Sequence, residues 1–518
     1  MLFFAAAILY SSVHVLGVTG MVSAPTHSVH DATTASISSV DLSSAEVGAA
    51  EAIPEVSLDV TPIARSAAAV GVPVLTAPEQ GIPHESSSLA SCGASHDKAT
   101  LRTSDSQLDS SSCLLELATA SSSQLATFGR SLDVNSGADV AFATHLGEDG
   151  SATATAVWWA TLPTDRRATL TTAMPGVVGN LEGVPYADRD VANRLTLHRT
   201  LAVLEKQSAR PQTGLALFTG GNRRLTMLQQ VDLALDRGRE QNGSVRQLVS
   251  LDTVFPGTAA ISVGDLDTAE NVSLMVPGML YTVSNQITFW TDRAAALQSA
   301  QTFWSNNLAT ATSAPTSSAV VAWMGYRTPD LLNVLSIGLA QSGAVHLEDT
   351  VLGVDAVRQE NAPRVTVIAH SYGSTAATIA LSSHKIHVDD LVVLGSPGSV
   401  VPTAAKLAVT SGNVYAAAAP LDPVAGSAVF GADPGATAFG ATLLNVGAGT
   451  DPFTEQALTG TLTHNSYFVP GSQSMRNLAL IGIGRGDLTG GRVPDPTIPQ
   501  LVNSPTLAYV RPQDVYRD

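Results

Sequence analysis

The second half of the chain is built from short apolar runs, each closed by a turn-forming pair. Residues 272–276 close at Pro277-Gly278, 319–324 at Gly325-Tyr326, 364–369 at His370-Ser371, 391–394 at Gly395-Ser396, and 414–419 at Pro420. Earlier, 248–254 and 258–263 form two such runs around Pro256-Gly257, and 442–446 is the last. Each run has strand length and strand composition. Helical spacing lies between them: an amphipathic stretch over 284–306, a broken helical region after Tyr326, a small-residue helix after Ser371, and a final helix over 474–482. Strand alternating with helix predicts a mostly parallel central sheet with helices on both faces.

Upstream the pattern is helical. Residues 163–174 carry helical spacing that turns Leu170 inward, and Pro175-Gly176 ends the helix. Gly179-Asn180-Leu181-Glu182-Gly183-Val184-Pro185 is a turn-rich loop, and Asp188-Arg189-Asp190 with Asn193 opens a helix running to Lys206. The adjacent Trp158 and Trp159 are costly to expose, so they read as core, with a pocket wall as the sharper alternative. Further upstream, 25–110 is rich in Ser, Ala, Thr and Pro, with a helical pattern emerging around 114–125. The division expected is therefore a signal peptide or anchor over 1–24, a linker or loosely helical module over 25–150, the sheet domain over 151–485 with a helical subregion over 151–245, and a tail over 486–518.

Composition narrows the function classes. The 518 residues are 44% hydrophobic, enough for a large core, and carry a formal charge of −17. An acidic surface repels phosphate backbones, so nucleic acid is not an expected partner. The first twenty residues hold no Asp, Glu, Lys or Arg, and Val22-Ser23-Ala24 resembles a cleavage site. Export to the cell envelope is expected on that ground, with a cytoplasmic location the alternative, and any membrane contact would come through this N-terminus. Cys92 and Cys113 are too few for a disulfide scaffold or a zinc site; in an exported chain they would pair.

The candidate chemistry sits at one turn. The run ending at Ala369 passes through His370-Ser371-Tyr372-Gly373 into a helix of small residues. This is a nucleophile elbow, in which a tight strand-to-helix turn lifts a serine hydroxyl above the sheet and needs small neighbours. It also aims the Tyr372 N–H at a developing oxyanion near a helix N-terminus.

A serine needs a base to take its proton and an acid to orient that base. The acid is expected after a later strand and the histidine after that. Asp422 follows the 414–419 run and is preferred over Asp389, Asp390, Asp433 and Asp451. His464 is the only histidine downstream of Asp422, whereas His384 and His387 come too soon and the His370 side chain is expected to point elsewhere. The second oxyanion donor is expected from Pro277-Gly278-Met279, with Gly278 letting substrate approach and Met279 supplying its N–H. Tyr326 and Phe468, with Gly278, are the candidate substrate contacts.

These blocks, together with Trp158-Trp159, the 179–185 loop, Asp188-Arg189-Asp190, Gly395-Ser396-Pro397-Gly398 and the 464–477 stretch, resemble an actinobacterial α/β-hydrolase family long classed as a domain of unknown function. The resemblance covers about residues 150–485, with Glu182 and Ala369 standing where the family often carries Asp and Gly. It implies an α/β-hydrolase fold with a Ser371, Asp422 and His464 set, and it supplies no substrate. Nucleotide-binding and zinc-protease motifs are absent in their required contexts, so no cofactor is expected. The expected function is a serine hydrolase acting on esters of small or lipid-like acyl groups. An amidase or peptidase with the same residues, or a non-catalytic envelope-binding protein, are the alternatives.

Overall fold

A computed structural model describes residues 89, 92, 110–147, 152–209, 220–240 and 244–490. The apolar run at 1–20, the Val22-Ser23-Ala24 site and the chain after 490 lie outside the described residues. The helical part comprises α1 (Ser110–Thr119), α2 (Ser122–Ser131), α3 (Ala138–Gly147), α4 (Ala152–Thr161), α5 (Thr164–Ala173), α6 (Pro175–Val178), α7 (Tyr186–Ser208) and α8 (Gly220–Glu240). Helices on either side of residue 150 share one apolar core, which contains Cys113, Leu117, Leu125, Phe142, Leu146, Trp159 and Leu170. Cys92 and Cys113 are joined as a disulfide in it. Trp159 is buried, and its indole N–H donates to Asp188 Oδ2 at 2.7 Å, so this tryptophan is packing and not pocket wall.

The 179–185 loop and α7 form a clamp on the sheet. Arg189 makes a two-pronged ion pair with Glu182, with contacts of 2.6 and 3.0 Å. The Asn193 amide donates to the carbonyls of Gly179 and Leu248, and Asp190 accepts the Leu248 N–H at 2.6 Å.

The sheet follows, with β1 (Arg246–Asp252), β2 (Thr258–Val263), β3 (Asn271–Val276), α9 (Val283–Leu308), β4 (Ser318–Met324), α10 (Gly338–Arg358), β5 (Arg364–His370), α11 (Tyr372–Ser382), β6 (Asp390–Leu394), β7 (Val414–Ala417), β8 (Thr442–Leu443) and α12 (Gln473–Gly482). The strand order is β1-β2-β4-β3-β5-β6-β7-β8. β2 runs antiparallel to both neighbours and every other pairing is parallel. The run expected over 442–446 pairs only over its first two residues.

Period-two alternation divides the strand side chains between two cores. Met275, Ile368 and Val392 face α7, α8, α9 and α12, while Leu274, Val367 and Val393 face α10 and α11. Because β3 to β8 are parallel, the loops after their C-terminal ends gather along one edge, and such an edge is where open α/β sheets place their ligands. No helix of the described residues is long and apolar enough to cross a membrane.

Candidate active site

A tight turn stands at the C-terminal end of β5. Ser371 adopts φ 55° and ψ −130°, a conformation that costs a non-glycine residue about 1–3 kcal/mol. The surroundings hold it there: the Ser371 N–H donates to the Leu394 carbonyl at 2.9 Å, and α11 begins at the next residue. The consequence is a hydroxyl raised off the sheet toward the loops that follow β7 and β8.

His464 Nε2 lies 2.8 Å from Ser371 Oγ, and His464 Nδ1 lies 2.8 Å from Asp422 Oδ1. One tautomer satisfies both contacts: Nδ1–H donates to the carboxylate while Nε2 accepts from the hydroxyl. Asp422 is wholly buried and fully partnered. Its Oδ1 also accepts the N–H groups of Val424 and Ala425, at 2.9 and 3.1 Å, and its Oδ2 accepts the Tyr467 hydroxyl at 2.7 Å. Burial alone would raise this carboxyl. The neighbouring His464, the Tyr467 hydroxyl and the Val424 N–H outweigh burial and hold it down at about 2. The site therefore keeps a carboxylate behind the imidazole at any physiological pH.

Glycine makes the pairing sterically possible. Gly395, at φ 58°, packs so closely that a Cβ there would stand 2.5 Å from Asp422 Oδ2 and 2.9 Å from His464 Nδ1. Gly278 does the same beside the serine, where a Cβ would lie 2.6 Å from Ser371 Cβ and 3.1 Å from Oγ. Met279 follows it, half-buried, and among the described residues neither its N–H nor that of Tyr372 is taken by an acceptor. Both N–H groups, one adjoining Gly278 and one adjoining Ser371, are thus without an acceptor among the described residues.

Several residues hold this arrangement from behind. The Tyr326 hydroxyl donates to the Pro277 carbonyl at 2.7 Å, and the Leu280 N–H donates to the Pro329 carbonyl at 3.0 Å, which pins the loop after β3. Phe468 lies edge-on to Trp290 with ring centres 4.9 Å apart. Tyr326 and Phe468 are buried as deeply as Ser371 and His464, and both back the loops that carry the site. The Tyr372 hydroxyl accepts the Ala340 N–H and donates to the Ser336 carbonyl, tying the start of α11 to the start of α10.

Two further residues join the arrangement: Tyr467, which no motif marks, and His370, whose side chain was expected to point elsewhere. His370 does not point away from the site. Its Nε2–H donates to the His464 carbonyl at 2.8 Å, and the two imidazole rings lie 4.6 Å apart. Burial and the adjacent His464 push its pKa down to about 3, so it stays neutral while it fixes the backbone of His464. Tyr467 bridges Asp422 and the Ala419 N–H. The competing acids lie elsewhere. Asp389 precedes β6 and Asp390 opens it, and both pair with Arg364; Asp451 pairs with Arg476, and Asp433 accepts the Gly435 N–H. A cavity of about 200 Å³ opens away from the serine, among the helices, lined by Asp139, Met174, Gly176 and Thr196.

The sheet order, the elbow and the loops that converge on it have the arrangement of an α/β-hydrolase fold. Residues 252–432 match the model of a family described as "Alpha/beta hydrolase", a span that contains Ser371 and Asp422. An uncharacterized protein of Mycobacterium tuberculosis is 30% identical over 372 residues, which cover 64% of this chain and 55% of the relative. An uncharacterized protein of Mycobacterium bovis is 31% identical over 178 residues, covering 32% of this chain and 64% of the relative. The chain spans about half the length of the first of these curated relatives. No solved structure matches.

Proposed function

We propose that this domain is a serine hydrolase that cleaves carboxylic esters through an acyl-enzyme. Ser371 Oγ attacks the ester carbonyl carbon while its proton passes to His464 Nε2. Asp422 stays ionised and holds the resulting imidazolium. The carbonyl oxygen, now negative, takes hydrogen bonds from the N–H groups of Met279 and Tyr372. When the tetrahedral species collapses, the alcohol leaves with the proton from His464 and the acyl group remains on Ser371. Water then attacks the acyl carbon and gives a proton to His464, which returns it to Ser371 as the acid is released. No step calls for a cofactor.

The observation that carries the reading is the unbroken run of 2.8 Å contacts from Ser371 Oγ through His464 to Asp422, with the adjacent His370 imidazole held neutral. The Cys92–Cys113 disulfide supports an oxidising compartment and so an exported protein, which cell fractionation tests.

A fluorophosphonate probe tests the chemistry. Wild-type protein should be labelled on Ser371 and Ser371→Ala should not. Hydrolysis of short acyl esters should fall by about 10⁴-fold or more in Ser371→Ala and in His464→Ala. Absence of labelling in a folded wild-type chain would favour a binding protein that keeps the fold. Faster turnover of amides than of esters would move the reading to an amidase.

A further inference from the structure

We propose that the rim around Ser371 docks on a lipid surface, so that the ester reaching the serine is drawn from a lipid–water interface. The nature of the bond cleaved rests on the hydrolase reading above; the docking rests on the rim itself.

The loops after β4, β6, β7 and β8 surround the edge from which Ser371 projects, and each exposes apolar side chains there. Leu332 is 97% exposed, Leu421 57% and Leu462 56%, joined by Leu335, Ile337 and Val400. These positions are fixed to the site. The segment carrying Leu332, Leu335 and Ile337 is tied to the residue after the nucleophile through the Tyr372 hydroxyl on the Ser336 carbonyl. Its outward turn is held by the Leu332 N–H on Asp330 Oδ1 at 2.9 Å and the Asp330 N–H on Asn333 Oδ1 at 2.8 Å. Leu421 directly precedes Asp422, and its N–H donates to the Leu462 carbonyl at 2.9 Å, two residues before His464. The loop bearing Val400 is bridged to the loop after β7 through Ser399 and Ala432.

The charge pattern separates this rim from the rest of the surface. The chain carries a net −17, yet over 325–337, 395–403, 418–433 and 460–469 the Asp, Glu, Lys, Arg and His residues are Arg327, Asp330, Asp422, Asp433 and His464, of which Arg327 and Asp330 are exposed. Asp422 and His464 are buried in the site. A rim whose exposed charges are one guanidinium and one carboxylate, of opposite sign, offers little to a strongly charged partner. Exposed leucines spaced around a nucleophile are an interaction surface. A protein seated there would seal off the hydroxyl, whereas a lipid surface covers the leucines and supplies an ester to the same spot. Long loops at the C-terminal edge of a rigid sheet are free to carry such a function.

The test uses the full chain as Ser371→Ala, so that no lipid is consumed, with sedimentation of phosphatidylcholine vesicles as the readout. The protein should partition onto the vesicles equally at low and high salt, because the contact is apolar. Leu332→Asp in that background should lower the partition coefficient by about tenfold or more, and Leu462→Asp should do the same. Leu332 has almost no native contact to lose, so an unchanged thermal unfolding midpoint certifies the fold. Failure to bind vesicles, or binding that survives both substitutions, overturns the proposal. A dimer in light scattering that Leu332→Asp dissociates, with no vesicle binding, assigns the rim to a second copy and overturns it as well. Fluorophosphonate labelling of Ser371 is read separately, so loss of docking and loss of the hydrolase reading give different results.

Discussion

The Tyr467 hydroxyl donates a 2.7 Å hydrogen bond to Asp422 Oδ2, the carboxylate oxygen that His464 does not use. The same hydroxyl accepts the Ala419 N–H at 2.7 Å, so one phenol fixes both the carboxylate and the start of the loop after β7 that carries it. Tyr467→Phe keeps the ring in its buried place and removes both bonds. A hydrogen bond to a charged group contributes about 1.5–3 kcal/mol, and stability should fall by about that much. Urea denaturation of the variant measures it. Ester turnover should fall too, by about tenfold, because the carboxylate loses one of its anchors. A variant as stable and active as wild type would mean that Val424 and Ala425 hold Asp422 unaided.

Gly395 makes a sharper prediction. Its φ of 58° disfavours any side chain, and a methyl there would intrude on both Asp422 and His464. Gly395→Ala should therefore separate acid from base while leaving the nucleophile in place. A displacement of about 1 Å in such a set costs about a hundredfold in rate. Steady-state hydrolysis and the rate of fluorophosphonate labelling should fall together, since both depend on His464 taking the Ser371 proton.

The two proposed oxyanion donors can be separated from their side chains. Met279 contributes a backbone N–H, which Met279→Ala retains, so this change should alter ester turnover by less than about threefold. Gly278→Ala places a methyl against Ser371 Cβ and Oγ and should lower kcat by about a hundredfold or more. Comparing kcat for the two variants on one dissolved ester checks the pair. Equal losses would argue that the loop acts through the Met279 side chain.

What could be read from the sequence, and what could not, divides along chain distance. The strands and the elbow are local patterns: an apolar run, a serine between small residues, then a helix. Asp422 and His464 were placed by their order after known strands. Tyr467 and His370 were not, because each acts on a group 45 or 94 residues away, and nothing near either of them in the chain marks that partner. Tyr326 and Phe468 show a different limit. Hydropathy says an aromatic residue prefers burial, but not whether it backs a site or faces a ligand. In the upstream helices, the serines of Ser110–Thr119 and Ser122–Ser131 mask an apolar spacing through Cys113, Leu117, Leu125 and Phe128, which close on Phe142 and Trp159 from other helices. Composition averaged over the segment hides a face that only the packed helices reveal.

Asp422 also sets a pH dependence for stability. Its carboxyl is held at about 2 in the folded chain, below the ordinary value of 3.8. A depressed folded-state pKa means that the unfolded chain takes up the proton first as pH falls. The contribution is therefore fully present above about pH 4 and is lost as pH drops toward 2, amounting to about 2 kcal/mol. Other carboxylates titrate in the same window, so the informative quantity is the difference between wild type and Asp422→Asn. The variant lacks the titrating group, and its unfolding free energy should fall less steeply between pH 4 and pH 2. Urea denaturation at a series of pH values gives both slopes. Parallel curves would show that the carboxylate is no better stabilised in the fold than in water, and would remove the electrostatic basis for its hold on His464.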